Sequence, residues 1–83
     1  MPGPLAAQLL EFAQSTFGRR SKGKPIELTT PLFSNGLIDS MGMVEFLSFV
    51  EQECGISWDP TVEELTELDT IERIADALSR KRG

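Results

Sequence analysis

The amino-acid sequence predicts an all-α fold, a small four-helix bundle with three main helices, one short helix and a long loop between the first two helices. Apolar residues recur at helical spacing through most of the chain. Helix-start residues (Asp39, Asp59 and Asp69) precede three of these segments, and Gly18 and Gly55 follow two of them. With 83 residues, we expect a single domain over residues 1–83 with one modest core. Such a domain has little room for a deep substrate cavity, which favours a protein that presents a group to others.

The first helix is predicted from about residue 4 to residue 17. Pro4 suits the first helical position, and Gly18 should stop the helix as its C′ residue. The apolar residues at helical spacing in this segment are Leu5, Leu9, Leu10, Phe12, Ala13 and Phe17.

Residues 19–38 form a long connection to the second helix. Its first part, residues 19–24, is basic, small and polar, and we expect it to be mobile. Pro25 and Pro31 exclude one continuous helix, and Ser34-Asn35-Gly36 predicts a turn. The remaining apolar side chains should be buried against the helices: Ile26, Leu28, Leu32, Phe33, Leu37 and Ile38.

The second helix is predicted from about residue 40 to residue 54, with Asp39 as N-cap, Gly55 as the stop and Ile56 packing back on the helix. At 100° per residue, Phe46 and Phe49 fall outside the arc that we assign to the core. We favour the interpretation that the connection covers both rings; the alternative is a surface that faces partners or cargo. The arc assigned to the core comprises Met43, Val44, Leu47, Val50 and Cys54.

Two shorter helical segments complete the chain. The short third helix is expected from about residue 60 to residue 66, with Asp59 as cap and Val62 and Leu65 facing inward. The fourth helix is expected from about residue 70 to residue 81, with Asp69 as N-cap and Glu72 completing a capping box. Its apolar face comprises Ile71, Ile74, Ala75 and Leu78, and its C-terminal bases, which complement the helix dipole, are Arg80, Lys81 and Arg82.

Composition excludes several classes of site. The chain has no histidine and a single cysteine, Cys54, so the sequence offers no internal disulfide, no Cys/His zinc site and no histidine general base. No apolar run is long enough to span a membrane, and the N-terminus lacks a signal peptide's features, so we expect a cytoplasmic protein.

From Asp39 to Asp76 inclusive there are eleven acidic residues and one base, Arg73. This charge disfavours nucleic acid and anionic membranes; it favours weak docking to basic patches on proteins, unless it serves solubility alone.

Ser40 taken alone is an ordinary helix-start serine. Its context is more specific, because Gly36, an apolar pair and Asp39 precede it and the bulky Met41 follows. This pattern resembles the modification motif of the acyl carrier and peptidyl carrier protein family. The resemblance extends to the order of the helices from residue 5 to residue 78 and to two further stretches, Val44-Glu45-Phe46-Leu47 and Gly55-Ile56.

The resemblance implies that a phosphopantetheinyl transferase attaches 4′-phosphopantetheine from coenzyme A to Ser40, with Asp39 as part of the attachment site. The thiol of that arm would hold an acyl or aminoacyl group as a thioester. An adenylating ligase or an acyltransferase would load the thiol, and a downstream synthase or transferase would use the cargo. Met41, Val44 and Glu45 would contact these partners. The protein itself would be a monomer without catalytic residues, and Cys54 would be a packing residue rather than the working thiol.

The kind of carrier is the least specific part of the resemblance. Gly42 occupies a position that is acidic in many fatty-acid carriers. Free-standing D-alanyl and aminoacyl carrier proteins have a Leu-Phe pair, a Gly and a bulky residue before Asp-Ser, and Leu32-Phe33 and Gly36-Leu37-Ile38 resemble these, so the motif is closest to those carriers. The chain departs from those carriers in residues 57–61 and in its basic connection. An amino acid or short polar acyl cargo is therefore slightly favoured over a fatty-acid or polyketide intermediate, and the Met1 start and short tail favour a free-standing chain. The alternative of a different class is an unmodified acidic helical adaptor for proteins.

Overall fold

Four α-helices and one 3₁₀ helix make up the regular secondary structure of residues 3–21 and 24–82, which are the residues that the computed structural model describes. The α-helices are α1 (Pro4–Phe17), α2 (Ser40–Cys54), α3 (Val62–Leu68) and α4 (Ile71–Arg82), and the 3₁₀ helix is Gly18–Ser21. No strand occurs in this part of the chain, so the all-α four-helix prediction is confirmed. None of its helices is long and apolar enough to cross a membrane.

The core lies where α1 meets α2 and α4, with α3 packed on α4. Burial of one large apolar side chain stabilises a fold by about 1.5–3 kcal/mol, so the fully buried side chains contribute much of the free energy that stabilises this fold. Side chains with no exposed surface come from all of these helices except α3, and also from the connection: Leu9, Ala13, Leu32, Phe46, Val50, Ile71, Ile74 and Leu78.

The connection is packed against the helices much as its apolar residues predict. Leu28 is half-buried, and the other five predicted residues are buried: Ile26, Leu32, Phe33, Leu37 and Ile38. The predicted turn is also present, because the Gly36 N–H donates to the Phe33 carbonyl at 3.2 Å and Gly36 has a φ of 78°. The connection is therefore a covering layer of the core.

The start of the connection contains helical structure that the sequence did not predict. Gly18 does not end α1 as a left-handed residue; it has a right-handed φ of −57°, and the chain continues as the 3₁₀ helix. The mobility predicted for residues 19–24 falls partly on Lys22 and Gly23, which lie outside the described residues.

The core face of α2 is rotated from the predicted one. Its buried residues recur every fourth position: Gly42, Phe46, Val50 and Cys54. Val44, assigned to the core from its helical angle, is 65% exposed, so that assignment is wrong. Phe46 is instead covered by Phe33 of the connection, with 6.3 Å between ring centroids, as the favoured interpretation requires. Phe49 is half-buried and stacks on Phe12 of α1 at 4.2 Å, so α1 covers this ring rather than the connection.

The two C-terminal helices begin later than predicted. Thr61, not Asp59, caps α3 by accepting a hydrogen bond from the Glu64 N–H, and Val62 is 61% exposed whereas Leu65 is buried as expected. Asp69 is not the N-cap of α4: it ends α3 in a left-handed conformation with a φ of 63°. Its carboxylate is taken up by the connection, as described below.

The start of α4 is capped by Thr70, whose hydroxyl accepts a hydrogen bond from the Arg73 N–H at 3.3 Å. The predicted apolar face of α4 is confirmed, with all four of its residues buried. At the other end Arg80 forms an exposed ion pair with Asp76, with 2.9 Å between nitrogen and oxygen. The side chain of Arg82 lies outside the described part.

Candidate functional site

Ser40 is the first residue of α2, and it is exposed. Among the described residues its hydroxyl has no hydrogen-bond partner, and neither do the N–H groups of Ser40 and Met41. These two N–H groups are the free donors that a helix start offers to an anion. A phosphodiester on Ser40 therefore fits this position, with its hydroxyl accessible and unpaired donors beside it.

Asp39 holds the start of α2 as its N-cap. Its carboxylate accepts a hydrogen bond from the Gly42 N–H at 2.8 Å, and its main-chain carbonyl accepts from the Met43 N–H at 2.9 Å. The hydrogen bond from Gly42 is the main reason that the pKa of the Asp39 carboxyl is lowered. Desolvation opposes this shift, and the charge of Arg20 adds to it. At neutral pH Asp39 is therefore a charged cap directly before the exposed serine.

Arg20 is the base nearest to this cap that the structure describes. Its guanidinium lies 3.5 Å from the Asp39 carboxylate and 5.7 Å from the centroid of the Phe17 ring. The ion pair is exposed, so it contributes little to stability. Its position matters more, because it offsets the negative charge of Asp39 next to the place where a phosphate would be attached. The sequence indicated a basic connection but not this contact.

The predicted partner-contacting residues share one surface with Ser40. Met41 is 76% exposed and Val44 is 65% exposed, and Glu45 is also exposed. Together with Ser40 and Ser48 they form the exposed face of α2, which is the name used for this surface below. Two large apolar side chains and one acid thus share the solvent side of the helix with the serine. Their role in docking stays a prediction.

Close packing in the structure explains why residue 42 is a glycine, which the sequence alone did not reveal. A Cβ atom on this residue would lie 2.8 Å from Cγ2 of Ile38 and 3.0 Å from Cε1 of Phe17. Both of those side chains are buried, so the first turn of α2 lies directly on the core. Close packing against these two side chains is therefore a sufficient reason for a glycine at this position, whatever the cargo.

Acidic side chains and Cys54 are the other candidates for a site in the described part of the chain. No group of three or more His, Cys, Asp or Glu side chains is placed there to hold a metal ion. Cys54 is buried at the far end of α2, with 8% of its surface exposed. Its burial fits the expected packing role.

Lowering the pH is expected to destabilise the folded protein in part through Asp39. Because its folded-state pKa is lowered, the unfolded chain binds this proton more readily, and stability falls as the pH decreases. The stabilisation is complete above the ordinary aspartate pKa and is lost as the pH falls through the folded-state pKa. Urea denaturation of wild type and Asp39→Ser over a pH series checks this, since serine caps a helix without titrating. We expect a flatter pH dependence in the variant, and equal slopes would contradict this role.

Comparison with known protein families matches residues 7–78 to the family described as Phosphopantetheine attachment site. A search of curated proteins and a search of solved structures found no match. Domains of this family carry covalently attached 4′-phosphopantetheine and are generally carriers without catalytic activity of their own. They generally interact with a phosphopantetheinyl transferase and with synthase partners. Since the match spans well over half of the chain, the protein belongs to the phosphopantetheine attachment site family.

Proposed function

We propose that Ser40 carries the 4′-phosphopantetheine arm and that the protein is a carrier of acyl or aminoacyl groups. The observation on which this rests most is the exposed Ser40 hydroxyl at the first position of α2, in a chain that belongs to a family defined by this attachment. When bound, the arm supplies a terminal thiol that holds its cargo as a thioester. The protein then needs no reactive residue of its own, because tethering raises the effective concentration of the cargo at a docked enzyme.

The residues around Ser40 prepare the helix start for a phosphate. Ser40 supplies the hydroxyl oxygen that forms the bond to phosphorus as the pyrophosphate bond of coenzyme A breaks. Adenosine 3′,5′-bisphosphate leaves, and the hydroxyl proton passes to a base of the transferase. Its own N–H and that of Met41 remain available as donors, which favours negative charge at this end of the helix. Asp39 fixes the first turn through its bond to Gly42, and Arg20 offsets the charge of Asp39. Attachment therefore requires no unwinding of α2.

The partners that we propose are a phosphopantetheinyl transferase, an adenylating ligase or acyltransferase that loads the thiol, and a downstream synthase or transferase. Met41, Val44 and Glu45 on the exposed face of α2 would contact them, since exposed apolar residues flanked by acids suit a partner surface with a basic rim. The excess of acids from residue 39 to residue 76 argues against nucleic acid and anionic membranes. The proposal includes a monomer and a cytoplasmic location, which suits a chain with a single cysteine.

For the cargo we propose an amino acid or a short polar acyl group, with a fatty-acid or polyketide intermediate as the alternative. Gly42 no longer supports this choice, because packing against Ile38 and Phe17 explains it. The remaining support is the segment that precedes Ser40 in the sequence. Its Leu32-Phe33 pair and Gly36 resemble the corresponding residues of free-standing D-alanyl and aminoacyl carriers. Loading of the modified protein with adenylates of defined acids tests the choice. Transfer of long-chain acyl groups alone would contradict it.

The attachment itself is tested by mass spectrometry. We expect the wild-type protein, incubated with coenzyme A and a promiscuous phosphopantetheinyl transferase, to gain the mass of one phosphopantetheinyl group. Ser40→Ala should gain nothing, whereas Ser79→Ala, which alters an exposed serine of α4, should react as the wild type does. No gain in the wild type would instead favour the unmodified adaptor. A gain that persists in Ser40→Ala would place the arm on another residue.

A further inference from the structure

Asp69 stands at the junction between α3 and α4 in a conformation that is uncommon for its residue type. Within the described part of the chain, Asp69 is the only residue other than glycine that has a positive φ, which is 63°. Its N–H donates to the Leu65 carbonyl at 2.8 Å and so closes the end of α3. Aspartate tolerates this left-handed region better than most residues. The conformation turns the chain from α3 into α4 at this residue.

The polar groups of Asp69 bind three consecutive residues of the connection. One carboxylate oxygen, Oδ1, accepts hydrogen bonds from the N–H groups of Phe33 at 2.8 Å and Ser34 at 2.9 Å. The other, Oδ2, accepts from the Ser34 hydroxyl at 2.6 Å, and the main-chain carbonyl accepts from the Leu32 N–H at 2.8 Å. One residue thus receives four hydrogen bonds from a segment more than thirty positions earlier in the sequence.

The carboxylate is charged when it makes these contacts. Partial burial raises the pKa of Asp69, but the hydrogen bonds from the Ser34 hydroxyl and from the N–H groups of Ser34, Phe33 and Leu32 outweigh this effect and lower the pKa. Hydrogen bonds to a charged acceptor are stronger than those between neutral groups. The link is therefore at full strength at neutral pH.

A second set of contacts leads from the bound segment to Ser40. The Leu32 carbonyl accepts a hydrogen bond from the Ile38 N–H at 2.8 Å, which closes the loop of residues 32–38. Ile38 is 1% exposed, and its Cγ2 atom occupies the space beside Gly42 in the first turn of α2. Asp39 and Ser40 follow directly. The position of Ile38 thus sets the course of the chain into the start of α2.

From these contacts we infer that Asp69 is a positioning residue for Ser40, acting through Leu32 and Ile38 to hold the start of α2 in one conformation for the transferase. This role depends on the proposed function, because it assumes that Ser40 is the residue that the transferase modifies. Asp69 does not contact Ser40 and has no chemical part in the attachment. It links the α3–α4 junction to the attachment point.

Two substitutions at this position separate the side chain from the backbone. Asp69→Gly accepts the left-handed φ without strain but removes all carboxylate contacts. Asp69→Asn also tolerates this conformation and keeps one oxygen that can accept hydrogen bonds. Ile74→Val in α4 serves as the control for stability, because it destabilises the core and removes none of the hydrogen bonds made by Asp69.

The first measurement is amide hydrogen exchange of the unmodified protein by NMR. In Asp69→Gly we expect exchange at the Ile38 and Gly42 amides to be about tenfold faster, beyond the change that global stability explains. Asp69→Asn should show a smaller increase. Ile74→Val should change these two amides only in step with its global stability. If Asp69→Gly behaves as Ile74→Val does, the inference is wrong.

The second measurement is kcat/KM for transfer of phosphopantetheine from coenzyme A, with every variant folded at the assay temperature. We expect a loss of about tenfold in Asp69→Gly, partial rescue in Asp69→Asn and no change in Ile74→Val. An unchanged rate in Asp69→Gly would overturn the positioning role. If the wild type is not modified at all, the proposed function fails instead, and hydrogen exchange alone decides whether Asp69 holds the start of α2.

Discussion

Phe46→Ala is expected to lower the free energy of unfolding by about 3–5 kcal/mol, the range seen for loss of a buried aromatic ring. The Phe46 side chain has no exposed surface, and its ring meets Phe12 at 6.1 Å and Phe33 at 6.3 Å. Removing it leaves a cavity between α1, α2 and the connection, where the surrounding rings cannot close in fully. A domain of this size has about 5–15 kcal/mol of total stability, so the loss is a large fraction of that total.

Urea denaturation followed by circular dichroism measures this loss, with Val44→Ala as the matched control in the same helix. Val44 is 65% exposed, so its truncation should change stability by no more than about 0.5 kcal/mol. The comparison decides which face of α2 forms the core. A loss in Val44→Ala equal to that in Phe46→Ala would contradict the observed rotation of the helix. Because Val44→Ala should fold normally, it also reports cleanly on partner docking.

Gly42→Leu is expected to destabilise the protein by about 1–3 kcal/mol through overpacking. Even a single Cβ would lie 2.8 Å from Ile38 and 3.0 Å from Phe17, and the branched side chain must displace both. Leucine favours a helix over glycine by most of 1 kcal/mol, so propensity alone predicts the opposite sign. The first turn of α2 should be displaced as well, which would slow modification of Ser40.

Thermal unfolding of Gly42→Leu and Gly42→Ala checks this prediction, with Ser48→Ala as the control for helix propensity. Ser48 is exposed in the same helix, so alanine there should raise stability slightly. We expect Gly42→Ala to fall between wild type and Gly42→Leu. A higher melting temperature in both Gly42 variants would show that the space beside Ile38 is larger than the contacts indicate.

Local signals in the sequence account for much of the fold. Pro4 at the start of α1, the Asp39 cap and the left-handed Gly55 act within a few residues, so they set helix ends without reference to the rest of the chain. Burial of the connection was also predictable, because its apolar residues could not remain in water. The Gly-apolar-apolar-Asp-Ser pattern around Ser40 belongs to this group, since it is a contiguous motif.

The rotation of α2 was not predictable from its own sequence. Apolar residues surround most of this helix, and periodicity alone does not decide which arc meets the core. Phe12 and Phe33 decide it by providing ring contacts for Phe46, and both lie in other parts of the chain. Val44 stays exposed because no described part of the chain covers that side of the helix. Tertiary packing therefore overrode the helical angle.

Asp69 shows a similar limit for polar residues. Its sequence context, with Glu72 three positions later, is that of a capping box, and capping boxes depend on local geometry. Its carboxylate instead binds Phe33 and Ser34, a pairing over more than thirty residues that no local pattern records. The late start of α4 follows, because Thr70 takes over the capping role.

The burial of Cys54 has a practical consequence for labelling. Only 8% of this residue is exposed, so packing shields its sulfur from reagents while the protein stays folded. The arm proposed on Ser40 ends in a second thiol, at the opposite end of α2 from Cys54. A maleimide added under native conditions should therefore label the arm and spare the protein's own cysteine. The unmodified protein is thus a negative control for labelling. A thiol dye can then measure the fraction of modified molecules without any engineered substitution.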